Sequence, residues 1–321
     1  PASADAMQWL VRVDNTARVT ALQEGTAIAG ENIPFSNIDQ LVGAGVTVDS
    51  VDSYGIGFLM FNCQKEPFND KRVRQAFHYA IDYDKLIKNQ LGGNAETLTS
   101  YLPKDNPAYH EASTVYKYDP EKAKALLKEA GQENLEVKLL VIDNWIKDLS
   151  AQIQQDLQAV GMNVTLDVQA APYPTMAASK TDEILPFDVF LAPGDVSCFG
   201  TNADVHLAWF YGENTDWCQG RSCWAKAGDG KCQEFNEYLD QARKATDAKT
   251  RQEAYNKCFD IISEGPGAWR VSGVQVERMV VQTDWENEEA VAFFQHRFKR
   301  MGVDTALEKA GARDGDEVRI L

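Results

Sequence analysis

The chain has 321 residues, with 48 acidic against 32 basic side chains and a formal net charge of −16. Its 44% hydrophobic and 25% charged residues are those of a globular chain, long enough for two or three domains. The acidic excess argues against binding a phosphate backbone as the main activity, which needs a basic surface, and no apolar run approaches the roughly 20 residues of a membrane-spanning helix.

The opening residues, PASADAMQWLVRVD, lack the charged-then-apolar order of a signal peptide. Any export signal is therefore expected to lie upstream or to have been removed, and so abrupt a start is expected of a piece of a longer chain. Residues 7–13 alternate apolar and polar, which predicts a strand. NTARVTALQEG predicts a short helix capped by Asn15 or Thr16, with Ala17, Ala21 and Leu22 inward and Gly25 as its stop. IPFSNIDQLVGAG reads as a second short helix, VTVDSV as a second strand, and YGIGFLMFN as an apolar strand ending at Asn62.

Next comes FNCQKEPFNDKRVRQAFHYAID, whose mixture of basic and aromatic residues raises the question of nucleic-acid contact. Asn69 is the expected cap here, with Asp70 in the first turn. Val73, Ala76, Phe77, Ala80 and Ile81 share one face at helical spacing, while Lys71, Arg72, Arg74 and Gln75 fall largely off it. The stretch is therefore two faces of one amphipathic helix, and it gives no support to a nucleic-acid partner. Asp82 caps the following helix, DKLIKNQLGG, and Pro103 and Pro107 mark residues 97–118 as a long surface loop.

YDPEKAKALLKEAG is a helix with Asp119 as cap, Pro120 in the first turn and Gly131 as stop. LEVKLLVID is a strand, and Ser150 to Val160 a helix with Ile153, Leu157 and Val160 inward. MNVTLDVQA and FDVFLAP are two more strands. This alternation predicts an α/β fold, a mixed sheet flanked by helices. APGDVSCFGTNADVHLAWFYG follows directly on a strand and is rich in Gly, Asp and aromatics, a composition and a place suited to ligand groups. Two helices resume over KCQEFNEYLDQARKATDAKTRQEAYNKCFDIISE.

Six cysteines, Cys63, Cys198, Cys218, Cys223, Cys232 and Cys258, fit disulfides in an exported protein, with free thiols as the alternative. A metal site is the weakest reading, because no CxxC pair occurs and His206 stands at no standard ligand spacing. Gly230-Lys231 lacks the earlier glycine and the following Ser or Thr of a phosphate-binding loop. Neither HExxH nor GxSxG occurs, so no catalytic residue and no cofactor is assigned.

YGIGFLMFNCQKEPFNDKRVRQAFHYAIDYDKLIKN resembles the family-5 extracellular solute-binding proteins, the peptide and oligopeptide receptors of ABC importers. The likeness rests on Asn62, Pro67-Phe68, Asp70, Val73-Arg74-Gln75-Ala76 and Ala80-Ile81-Asp82 in order and spacing. Arg18, Ala21, Leu22, Gly25 and Ile28, then YDPEKAKALLKEAG and IQQDLQAVGMNVTLDV, are similar to further family segments. The tail resembles instead the C-terminal domain of Obg-type GTPases, through Val271-x-Gly273, Glu277-Arg278, Asn287, Glu289-Ala290, Met301-Gly302-Val303, Ala306-Leu307, Ala310-Gly311 and Gly315-Asp316-x-Val318-Arg319-Ile320.

The resemblance implies a type II (cluster C) periplasmic-binding-protein fold, lacking the family's earlier residues and carrying a small α+β tail. It divides the chain into residues 1–58 of a partial first lobe, a ligand-binding lobe over 59–265 and an Obg-like tail over 266–321. It implies an extracytoplasmic protein, periplasmic or anchored at the cell surface. Such a protein captures a peptide or other small solute between two lobes and delivers it to a membrane permease. The alternative, from the tail, is a regulatory or interaction module. The implied ligand loop is APGDVSCFGTNADV, with Gly194-Asp195 just after the strand and Asp204 as second acid; either Asp has the alternative of capping a turn or the helix ADVHLAWFY. Trp209, Phe210 and Tyr211 line the pocket or pack in the core. Some relatives bridge the regions of Cys63 and Cys198, which implies that pairing here, with the other four cysteines paired among themselves and Trp217 and Trp224 against a disulfide.

Overall fold

In the computed structural model the residues described are 6–12, 14–31, 33–49, 55–143, 145–170, 187–195, 199–264, 268–271 and 317–320. Four apolar segments assemble into one sheet: β1 (Gly55–Phe61), β2 (Glu136–Ile142), β3 (Asn163–Gln169) and β4 (Val189–Asp195). The order is β1-β4-β2-β3, with β1 antiparallel to β4 and the other neighbours parallel. Strands buried on both faces need no alternation, and Leu139 to Ile142 and Val189 to Ala192 are continuous buried runs of this kind. Asp188 stitches the start of the sheet together. Its carboxylate accepts the Lys138 N–H at 2.6 Å and pairs with Lys65, while its carbonyl accepts the Asn62 N–H at 3.0 Å.

Two units are distinguished. The first comprises the described residues within Pro1–Leu98, Tyr116–Asn202 and Gly220–Ser222. It holds the sheet and six helices: α1 (Asn15–Gln23), α2 (Ile38–Gly43), α3 (Lys71–Ala80), α4 (Tyr83–Gln90), α5 (Pro120–Glu129) and α6 (Lys147–Ala159). The expected stripe of α3 is buried throughout, with Phe77 edge-on to Phe61 at 5.1 Å between centroids. Asp119 and Asp82 cap α5 and α4 as expected, accepting the Lys122 and Lys85 N–H groups at 2.9 and 3.0 Å.

The second unit comprises the described residues within Thr99–Val115, Ala203–Gln219 and Cys223–Leu321. Here α7 (Ala203–Tyr211), α8 (Lys231–Lys244) and α9 (Ala248–Glu264) share a core of Leu207, Phe235, Leu239, Cys258 and Phe259, closed by Leu102 from the long loop. That loop is fastened to α9 by the Ser113 N–H on Asp260 at 3.0 Å and by Gln252 on the Ala108 carbonyl at 3.0 Å. β5 (Ala268–Val271) and β6 (Glu317–Ile320) form a parallel pair; the tail positions from 272 to 316 lie outside the described residues.

Several local expectations are corrected. Residues 6–12 are not a strand and expose Met7, Trp9 and Val11: alternation suits a half-buried strand but does not supply one with a neighbour. Residues 46–49 are likewise irregular, and 50–54 lie outside the described residues. The caps of α1 and α3 are Asp14 and Asp70, one residue from those expected. Lys71 and Gln75 are buried, because α3 packs against both α5 and α6 and is covered well beyond its apolar stripe. Arg72 is engaged too: its guanidinium forks onto Asp70, with a 2.6 Å contact, and reaches the Glu129 carbonyl at the end of α5 at 2.9 Å.

Candidate functional site

Because β2 and β4 run parallel and β1 runs against them, the carboxyl ends of β2 and β4 and the start of β1 lie at one edge of the sheet. Open α/β sheets bind ligands outside this edge. Gly194 and Asp195, expected just after the strand, are instead its last two residues, opposite Ile56 and Gly55. A Cβ on Gly194 would stand 3.0 Å from Ile56 Cγ1 and 3.1 Å from Phe58 Cε1, so glycine lets the strand end lie close to its neighbour. The side chain of Asp195, residues 196–197 and Cys198 lie outside the described residues.

Trp145 completes the edge, and sequence reasoning missed it. It follows β2, keeps 47% of its surface exposed, and its ring tip lies 3.6 Å from where a Gly57 Cβ would be. Ile146 Cδ1 fills the rest of that space, 2.8 Å from the same point, and is buried. Gly57 of β1 thus lets Ile146 and the tip of Trp145 pack close over the strand, while about half of the indole stays accessible. The signal was present: the strand-end rule that selected the loop after β4 applies equally to Asp143-Asn144-Trp145 after β2. Asp143 is paired with Lys147, whose ammonium it holds above the usual range through a hydrogen bond and its charge.

The other expected site residues lie in the second unit. Asp204 stands in the first turn of α7, where Arg243 Nε meets one carboxylate oxygen at 2.6 Å and Nη2 the other at 3.3 Å. This hydrogen-bonded pairing raises the Arg243 pKa further. Trp209 is half exposed on α7. Tyr211 packs on Phe235 and Trp224, and Phe210 on Trp217; burial pushes the Tyr211 hydroxyl well above its ordinary pKa. Both aromatics are partly buried, and Tyr211 packs against the core of the unit. No disulfide joins described cysteines, so Trp217 and Trp224 pack on rings instead. Among the described residues no group of three or more His, Cys, Asp or Glu side chains is disposed to hold a metal, and no helix is long and apolar enough to cross a membrane.

Comparison with known proteins adds the following. The model of the bacterial extracellular solute-binding proteins, family 5 (middle), matches residues 1–212, and that of a domain of unknown function, DUF1967, matches residues 259–321. The dipeptide-binding protein of Escherichia coli K12 is 29% identical over 177 residues, covering 50% of this chain and 32% of the relative. Heme-binding protein A of Haemophilus influenzae is 35% identical over 125 residues, 38% of this chain and 22% of the relative. The chain thus spans about a third or less of these curated relatives. In fold it is similar to the oligopeptide-binding protein AppA of Bacillus subtilis, solved with a nonapeptide, at a TM-score of 0.65 and 18% identity, over 79% of this chain and 51% of that one.

Proposed function

Since the chain belongs to the bacterial extracellular solute-binding proteins of family 5, we propose that it serves an ABC importer by capturing a peptide-like solute outside the cytoplasm, for delivery to the membrane permease. It binds and does not turn over its ligand. The observation that supports this reading is the carboxyl edge of the sheet, where Trp145 stands half exposed over Gly57 of β1 and residues 194–195 end β4. An indole face takes apolar side chains of varied shape, while free backbone groups at strand ends satisfy a peptide main chain without reading its sequence. Asp195 is the acid assigned to the ligand's amino group; such a pair is favourable when shielded and fully hydrogen-bonded. Relatives are named for binding dipeptides and heme, and one was solved with a nonapeptide, so the peptide class is the more specific part of the proposal.

Thermal-shift screening with dipeptides, oligopeptides and heme tests it. At least one peptide is expected to raise the melting temperature, as binding to the native state alone requires. No shift with any peptide ends the peptide assignment, and a shift with heme alone replaces it. A second reading is favoured by the match over residues 259–321: a non-catalytic interaction module. It predicts a partner that binds the chain equally well with Trp145 and Asp195 replaced.

A further inference from the structure

Within the second unit the sulfurs of Cys218 and Cys232 lie 3.3 Å apart, against about 2.05 Å in a disulfide. The backbone at both positions is held. The Cys218 N–H donates to Thr215 Oγ1 at 3.2 Å, and the neighbouring Trp217 ring packs on Phe210 at 4.8 Å. Cys232 sits in the first turn of α8, where Asn236, one turn on, donates to its carbonyl at 2.7 Å and lies 3.6 Å from its sulfur. Cys258 is different: it donates to the Phe235 carbonyl, and burial pushes its thiol up to about 12, which makes it inert.

We propose that Cys218 and Cys232 form a specific disulfide, made by thiol–disulfide exchange with an oxidised dithiol or glutathione disulfide, that staples the turn after α7 to the first turn of α8. Cys232 is the attacking sulfur, since it keeps slight exposure while Cys218 has none. Hydrogen bonds from Cys218 and Asn236 hold its thiol below the ordinary value, which raises the thiolate fraction. The Cys232 thiolate attacks one oxidant sulfur. The oxidant's S–S bond breaks, and its departing thiolate takes up the proton Cys232 gave up. Cys218, losing its own proton, then attacks Cys232 and expels the second oxidant sulfur as a thiol. The pair loses two electrons and two protons, and the oxidant's disulfide is reduced to two thiols.

The full chain is equilibrated with oxidised glutathione, alkylated without reduction and cut with trypsin. Cleavage after Lys180, Arg221, Lys226 and Lys231 separates Cys223 and Cys232 but leaves Cys198 with Cys218 in residues 181–221. Backbone fragmentation of that peptide between positions 198 and 218 tells which of the two is linked; linkage through Cys198 overturns the proposal. The expected product joins the peptide ending at Arg221 to the peptide 232–243. Reduction is expected to lower the melting temperature by roughly 5 °C, an effect absent in Cys232→Ser. Alkylation of both thiols, a stable glutathione adduct, or linkage of either cysteine to Cys223 overturns the proposal.

Discussion

Acidification from pH 7.5 to 5.0 is expected to cost the fold about 2 kcal/mol through a single side chain, His78. Its ring stacks on Tyr116 at 4.5 Å, its Nδ1 lies 3.4 Å from the Tyr83 hydroxyl, and Arg74 stands one turn before it on α3. Burial first, then the Arg74 charge, lowers its pKa from 6.5 to about 4. The end of a helix favours an imidazolium by less than about 1 kcal/mol, and burial overrides it here. The unfolded chain therefore binds more protons than the native one between these two values, so stability rises with pH across that window and is lost as pH falls from 6.5 toward 4. A loss of about 2 kcal/mol lowers the melting temperature by about 4 °C in a chain of this size. Other groups titrate as well, so the measurement is the difference between the wild type and His78→Gln, each unfolded in urea at both pH values. The variant is expected to lose about 2 kcal/mol less on acidification. Equal losses in the two proteins refute the argument.

Arg72→Ala removes both the fork on Asp70 and the contact with the end of α5; a loss of about 1–3 kcal/mol is expected in urea unfolding at neutral pH. Leu139→Ala, at the centre of the sheet, is expected to cost about 2–5 kcal/mol by the same measurement. Gly57→Val forces Ile146 and Trp145 aside and is expected to change the quenching of tryptophan fluorescence by acrylamide while the far-ultraviolet circular dichroism is kept. In calorimetric titration with a peptide found by screening, Trp145→Ala and Asp195→Asn are each expected to weaken binding about tenfold or more. Asp204→Asn is expected to leave affinity unchanged and to cost under about 1 kcal/mol of stability, since Arg243 is partly exposed.

Short-range chemistry explains which parts of the molecule were legible. The four sheet strands carry apolar runs or alternation, and α5 has its cap, proline and stop glycine within thirteen residues, so both could be read locally. Residues 6–12 carry an equally clean alternation, but a strand is a property of two segments and the pattern specifies only one. The burial of Lys71 and Gln75 depends on which helices cover α3, and nothing in the helix itself encodes them. The site shows the same limit. Its glycine, its tryptophan and its strand-end acid come from positions 57, 145 and 195, brought to one edge only by the order of the sheet. The pairing of Asp204 with Arg243 was not legible either, because the two lie 39 residues apart.

That order has a consequence for synthesis. β4 occupies the interior of the sheet, between β1 and β2, yet is the last of the four strands to leave the ribosome. β2 and β3 can pair as soon as both have emerged, but β1 must wait for roughly 130 more residues before its partner exists. At about 5–20 residues per second the wait is roughly 6–26 seconds, during which GIGFLMF is an unpaired apolar strand. A segment exposed so long invites pairing with a neighbouring nascent chain, and it is where a holding chaperone would be needed. The same insertion that gathers three distant loops at one edge therefore makes the chain slow to close and most prone to aggregate before residue 189 has been made.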